Sequence, residues 1–408
     1  MKAALPFTCH AVLTTALTFA TSVALAQGSL TFVARSPLPT AHYGMGYCND
    51  QLAIYSVAGG SATAAYTADV YRYDIAGNLW GIGTASLTPQ RFSSAAILDP
   101  SLSAGLIYVL NGQNASGGAV PLVESVRVAD GTSGPSFGNP LPTTSAGSAV
   151  WNGILYCYGG SVGTTYYNNL RSYNRLTNSW TNLAPMPESK STVGAVVNGK
   201  IYVFGGYNGV VNSNRVDAYD IASNQWQPLG TLPTTVSNQA VAVQGDWIWL
   251  VGDFTNQSYL AAYNTQTKQL RTFTSNLPPR RNAGAAVVNN QLYIWGGNTA
   301  SANSSALNDM WRADVSFVVT ANTMAKNLPV LDAYPNPSAS GRFIITLPSR
   351  ADVQLVVSDA QGRLIRELNL ARNSSTYELD LGQEAAGLYL VRAQVAGQPV
   401  ATCRLMRN

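Results

Sequence analysis

The sequence predicts an all-β protein: a radial array of six blades built from short antiparallel strands, followed by a small antiparallel β-sandwich. Three observations carry this reading. A cluster made of a Leu-Pro-like pair, an alternating apolar run, a Gly-Gly-like turn, a Tyr-Asp-like pair and an aromatic recurs six times, about every fifty residues. Each copy is a set of short strands that cannot bury both its faces alone, so the copies must stack side by side. After Phe317 the period stops and a different texture follows.

In register, the diglycine positions read as Gly59-Gly60, Asn111-Gly112, Gly159-Gly160, Gly205-Gly206, Gly252-Asp253 and Gly296-Gly297, each directly after an apolar strand. Downstream stand Tyr73-Asp74, Ala129-Asp130, Tyr173-Asn174, Tyr219-Asp220, Tyr263-Asn264 and Ala313-Asp314. Their Asx side chains are read as turn formers that bond to their own backbone. A large apolar residue comes next: Trp80, Phe137, Trp180, Trp226, and in the fifth repeat Leu270 or Phe273. The sixth repeat runs out without one, whereas Phe32 and Leu38-Pro39 form the end of a repeat with no beginning. The ring is therefore expected to close through the N-terminus, with strands a to c of the last blade from roughly Asn282 to Ser316 and strand d from roughly Ser29 to Ala34.

A diglycine after strand b, followed by Tyr-Asp and Trp, resembles the kelch repeat, with Asn198 to Trp226 the cleanest copy. The resemblance implies a six-bladed kelch-type β-propeller over residues 27–318.

Only 11% of the 408 residues are charged, and removing Lys2 with a leader takes the formal charge from +4 to +3. Nothing in that balance favours nucleic acid. Residues 1–26 have the layout of a cleaved secretory signal: Lys2, an apolar stretch from Ala11 to Val23, and Ala24-Leu25-Ala26 before Gln27. No transmembrane segment is expected in the mature chain. That chain holds Cys48, Cys157 and Cys403, an odd set without short spacings, which argues against a disulfide framework or a Cys-based zinc site. Cys48 and Cys157 read as small buried apolar residues.

After a linker at 319–331, Tyr334-Pro335-Asn336-Pro337, the turn from Asp359 to Arg363, Ala386-Gly387-Leu388-Tyr389 and a basic end with Arg404 and Arg407 follow one another. Physically this reads as a small Ig-like sandwich. The same order of signals resembles the C-terminal sorting domain of type IX secretion cargo, over residues 332–408. The resemblance implies a Bacteroidetes-type secreted protein handled by the type IX machinery. The product would be free or attached to the outer-membrane surface once signal peptide and sorting domain are removed.

A ligand site is sought where strand a starts and strand b ends, on one rim of the ring. Counting eight residues back from each a-b turn gives His42, Arg91, Ser145, Ser191, Ser237 and Asn282, all polar, with Arg281 adjacent. These positions read either as a binding ring or as polar groups that satisfy backbone and channel water. Arg91 and Arg281 favour a carboxylate or sugar hydroxyl ligand, since guanidinium forks hold both. On the same side the b-c loops carry Tyr66, Tyr166, Tyr167, Tyr207, Asn208, Phe254 and Asn298, aromatic faces flanked by amides that suit a sugar ring or a peptide.

Copper oxidase chemistry of the kelch type needs two histidines with two tyrosines, and the mature chain has only His42. No cofactor or metal is implied. A mutarotase or epimerase would need an acid-base pair, but the propeller offers only Glu124 and Glu188, neither in the polar ring. The expectation is a monomeric, non-catalytic exported protein that binds glycan or protein, with the carbohydrate-active enzyme as the alternative.

Overall fold

The computed structural model describes residues 25–83, 87–99, 105–320, 331–347, 353–359, 364–370, 376–395 and 398–408. Residues 1–24 of the expected leader and 321–330 of the expected linker lie outside them. Contacts divide the chain into two compact units, with the division between Val319 and Thr320.

In the first unit, six antiparallel sheets of strands a, b, c and d succeed one another among the described residues. Blade 1 is Gly46–Asn49, Ala53–Val57, Val70–Asp74 and Leu79–Ile82; blade 2 is Ala95–Asp99, Leu106–Leu110, Leu122–Arg127 and Phe137–Gly138. Blade 3 is Gly147–Trp151, Ile154–Tyr158, Leu170–Asn174 and Ser179–Leu183; blade 4 is Ser191–Val197, Lys200–Tyr207, Arg215–Asp220 and Gln225–Thr231. Blade 5 is Ala240–Gln244, Trp247–Val251, Leu260–Asn264 and Leu270–Ser275, and blade 6 has strands a to c at Gly284–Val288, Gln291–Trp295 and Met310–Asp314. Strand a of each blade lies beside strand a of the next, and that of blade 6 beside that of blade 1, so the sheets form a closed ring.

Alternating side chains face the two neighbouring blades, and each gap between blades holds its own buried cluster. Trp295 of blade 6 packs with Tyr73 and Trp80 of blade 1, and Tyr156 of blade 3 with Ile201 and Tyr219 of blade 4.

Strand d of blade 6 comes from the N-terminus: Val33–Arg35 pairs antiparallel with Met310–Asp314, Val33 opposite Arg312 and Arg35 opposite Met310. Ser29 and Leu30 are not part of it. They belong to Leu25–Leu30, which runs parallel along Leu270–Ser275 as a fifth strand on blade 5. The chain crosses from one blade to the other because Leu30 and Phe32 are both buried in the cluster between blades 5 and 6. The backbone N–H of Phe32 donates to Asn276 Oδ1 at 2.7 Å and the Asn276 amide donates back to the Phe32 carbonyl at 3.0 Å, which fixes the crossing.

The repeated motif is a set of turn and clasp devices. All six Asx residues accept a hydrogen bond from a backbone N–H two or three residues on, from 2.6 Å at Asp74 to 3.0 Å at Asp220 and Asn264. In blades 1, 3 and 4 the hydroxyls of Tyr73, Tyr173 and Tyr219 donate to Asn78, Asn178 and Asn224, and all three asparagines have positive φ. The indoles of Trp80, Trp180 and Trp226 donate to the carbonyls of Ser36, Gly138 and Ala184, each just past or at the end of strand d of the preceding blade. The tryptophan is thus the bolt between blades.

Two register assignments change. The first-repeat turn is Ala58-Gly59, with φ of 55° and 105° matching the 56° and 106° of Gly205-Gly206, so Gly60 lies one residue beyond. In blade 2 the partner of strand c at the tryptophan position is Ser133, opposite Val126 as Trp80 is opposite Tyr73. Phe137 instead stacks on Tyr173 of blade 3 at 3.9 Å. Leu270 occupies the tryptophan position in blade 5, opposite Tyr263, and Phe32 precedes strand d at that level in blade 6.

The second unit is a sandwich. One sheet holds Ala333–Tyr334, Arg342–Thr346 and Thr376–Asp380; the other holds Leu364–Leu370, Val353–Asp359, Gly387–Val395 and Gln398–Arg407. Phe343 and Leu379 from the first share one core with Leu355, Val391 and Leu405 from the second.

The channel mouth as candidate functional site

The diglycine turns set the mouth. The N–H of the second residue donates to the carbonyl that begins the next blade: Gly59 to Arg91, Gly112 to Thr143, Gly160 to Lys190, Gly206 to Val236 and Gly297 to His42, at 2.8 to 3.1 Å. A Cβ on Gly205 would sit 2.2 Å from the Val236 carbonyl, so the close passage of the next blade excludes a side chain there. Two residues later the chain turns at Gly44, Ser93, Ser145, Asn238 and Asn282, all with φ between 52° and 61°. Their backbones link across blades: Asn282 donates to Asn238, Gly44 to Asn282, Ser93 to Gly44 and Ser145 to Ser93, at 2.9 to 3.2 Å. This collar lines the mouth.

The six positions taken from the sequence fall in three registers. Ser145 and Asn282 stand on the collar. Ser191 and Ser237 are one residue before it; Ser237 is buried, its N–H held by Asp253 Oδ1 at 2.7 Å, and Ser191 pairs with Tyr207. His42 and Arg91 are two residues before it and fully buried. The a-b hairpins turn at different depths, strand a pairing over four residues in blade 1 and five in blade 3, so a count back from the turn drifts.

The buried register holds side-chain clasps at the blade starts, each made within its own blade or its entering segment, that the sequence reading missed. Arg91 donates to Glu124 and to the carbonyls of Asn111 and Leu122 at 3.3 and 3.1 Å. Lys190 lies 2.9 Å from Glu188, and Arg280 grips Asp309 with two bonds of 2.9 Å. His42 sits 3.6 Å from Asp69 and edge-on to Tyr71; burial, only partly opposed by Asp69, pushes its pKa below the ordinary 6.5. The sequence signal for these is the cation directly at the blade start, visible only once the diglycine register is known.

Arg281 is buried too but has different partners. Its guanidinium lies 4.0 Å over the Phe254 ring and donates to Ser301 Oγ at 3.3 Å, while Phe254 itself is 47% exposed. Asn238 donates to Asn282 and Asn282 to Asn298, an amide chain leading to the same loop. In blade 4 Tyr207 meets Tyr166 edge-on at 5.6 Å and donates to the Gly209 carbonyl, below Val210 and Val211, which are 83% and 57% exposed. The Asn208 side chain accepts from both valine N–H groups and holds them outward. Tyr66 instead bonds Gln113, and Asn298 is buried. What the arrangement offers is a polar collar flanked by projecting aromatic and aliphatic side chains on blades 3 to 5.

Both glutamates of the propeller are committed elsewhere. Burial would raise the Glu188 pKa, but Lys190, Ser213 and Arg215 outweigh it and hold the carboxyl below its usual range. Glu124 accepts from Arg91 and from the Thr88 N–H at 2.9 Å. Cys157 is buried and takes a 2.9 Å contact from the Asn111 amide, and burial raises its pKa; Cys48 is half-buried in the cluster between blades 1 and 2.

Two families match the chain: one described as KLHDC2/KLHL20/DRC7 Kelch-repeats domain at residues 102–271, the other as Secretion system C-terminal sorting domain at residues 332–406. The chain joins a kelch-repeat domain to a type IX secretion sorting domain. A solved structure of YjhT aligns with a TM-score of 0.58 at 15% identity, over 68% of this chain and 95% of that one, a likeness of fold. A search of the curated proteins returns no match.

In the sorting domain the shared residues tie the first strand to the last. Asn336 donates to the Arg404 carbonyl at 2.6 Å and accepts from the Met406 N–H at 2.9 Å. Arg407 donates to the carbonyls of Glu384 and Gly382, and Tyr389 to that of Ala385. The Asp359–Arg363 turn lies mostly outside the described residues. The sorting domain marks the protein for export by the type IX route, and no helix among the described residues is long and apolar enough to cross a membrane.

Proposed function

We propose that this protein is an exported, non-catalytic recognition module whose kelch ring binds a glycan or protein at the collar face, on the cell surface or in the medium, after its sorting domain is removed. One observation carries the reading: Val210, Val211 and Phe254 project into solvent beside Tyr207 and the Asn238-Asn282 amides. Exposed aliphatic side chains next to aromatic and amide groups favour a protein or peptide ligand over a bare sugar, since they gain by burial. The enzymatic alternative finds no support in the two glutamates, whose carboxylates are held in ion pairs.

The exported protein should be screened on a glycan and peptide array. Val210→Asp with Val211→Asp should weaken any ligand found there at least tenfold without lowering Tm; unchanged affinity would move the site off this face. In the native host, a chain ending at 331 should accumulate in the periplasm. Normal appearance outside the cell would overturn the export route.

A further inference from the structure

Five of the six gaps between blades are plugged at the same level of strand d. Trp80 fills that level between blades 6 and 1, Trp180 between 2 and 3, Trp226 between 3 and 4, Leu270 between 4 and 5, and Phe32 between 5 and 6. Between blades 1 and 2 the residue in that register is Ser133, which is exposed, opposite Val126 rather than a tyrosine. The facing blade is thinned as well. Where blade 2 presents Phe137 and blade 3 presents Leu183 to the next blade, blade 1 presents Gly83, whose N–H bonds to Val70 as the last rung of its strand.

Among the described residues both halves of the plug are thus absent from one gap, and its buried cluster contains a single aromatic, Tyr55. A groove of about 670 Å³ occupies the place, within the roughly 300–1,000 Å³ of small-ligand sites. Its floor is Tyr55, Ile107 and Val126, all buried, and its wall carries Leu79, 65% exposed, where blade 3 has Ser179 and blade 4 has Gln225. Arg72 and Arg127 with Asp50, Asp74 and Asp130 form a rim of both signs. The groove is lined by a-b and c-d turns, so it opens at the end of the blades opposite the collar.

We propose that this groove binds an aromatic side chain carried on an extended segment of a partner polypeptide. The other gaps of the same ring show what such a space accepts: an aromatic or large apolar side chain from a strand that lies along the blade edge, packed against the preceding blade. A partner strand would supply here what blade 2 does not. The apolar floor rewards burial of the ring, and the mixed-charge rim accommodates the polar backbone and flanking residues of a peptide.

The test uses a five-residue peptide copying the chain's own Ser179 to Leu183, acetylated and amidated, against N-acetyltryptophanamide and N-acetylleucinamide, titrated into the full chain by calorimetry and saturation-transfer NMR. The peptide should bind at least tenfold tighter than the tryptophan amide, and the tryptophan amide more tightly than the leucine amide. Ser133→Trp, which refills the notch from within, should abolish binding and raise Tm. If that variant fails to fold, Leu79→Asp, an exposed substitution, should still weaken the peptide at least tenfold. Val210→Asp on the collar face should leave it unchanged, which separates this site from the one proposed above. No binding of the peptide, equal binding by wild type and Leu79→Asp, or a peptide no tighter than the free tryptophan amide would each overturn the proposal.

Discussion

The gap between blades 3 and 4 and the gap between blades 1 and 2 are made from the same repeat and end differently. In the first, Trp226 bonds to the Ala184 carbonyl, Tyr219 bonds to Asn224, and Asn224 accepts the Ala184 N–H at 2.8 Å. In the second, Val126 and Ser133 stand in the tyrosine and tryptophan registers, and a groove is left. The motif residues are therefore cement between blades, and a lapse in the motif opens a space without breaking the ring. Strand a packing still closes the defective gap further in, together with Arg91, whose backbone bonds to Gly59 and Thr67 of blade 1 while its side chain holds Glu124 of blade 2.

The sharpest way to break this contrast is to remove a plug from a filled gap. Trp80→Ala and Phe32→Ala should each cost about 3–5 kcal/mol in denaturant unfolding, the size expected for a buried large aromatic. A near-zero loss at Phe32 would deny that the N-terminal segment plays the part of a strand d. Next comes the inner clasp. Arg91→Met leaves the Glu124 carboxylate, 15% exposed, without its cation and should cost about 3 kcal/mol.

Arg281→Ala separates the two arginines that the sequence placed together. It removes a buried guanidinium stacked on the exposed Phe254 ring and paired with no carboxylate, and should cost about 1–2 kcal/mol, yet weaken a collar ligand roughly tenfold. A stability loss equal to that of Arg91→Met would make it another clasp.

The smallest effects appear on acidification. Asp220 is held at about 2 by Lys200 and the Ser223 N–H, against an ordinary 3.8. Its stabilisation is therefore complete above the ordinary value and is lost as pH falls through 2. Asp220→Asn should flatten the stability curve in that window alone. His42 is a base whose folded pKa is lowered, so the unfolded chain takes up the proton first and stability falls as pH drops below 6.5. His42→Phe should remove that slope; a slope that persists would assign it to other groups.

Much of the fold was legible because its signals are local. A diglycine, an Asx residue and an aromatic act within one hairpin or on the next blade, and they repeat often enough to set a register. The site was less legible. Ser145 and Asn282 stand on the collar, but His42 and Arg91 lie beneath it, because hairpin depth varies between blades and only cross-strand pairing reveals it. Lys190 and Arg280, the clasps at two other blade starts, were passed over for the same reason. Ser29 and Leu30 were placed on the wrong blade, since nothing in their residues distinguishes a fifth parallel strand from a closing antiparallel one.

By itself the sequence determined the all-β class, the repeated turn chemistry and the presence of the sorting domain. Each depends on residues whose conformational preference or bonding partner is fixed by spacing along the chain. Only the tertiary structure decided which polar groups face water. That depends on how deep each residue sits between two blades far apart in sequence, and burial is a property of the pair. The empty notch beside Leu79 belongs to the same class: it is made by two absences, Gly83 on one blade and Ser133 on the next, which become a single cavity only when the ring closes.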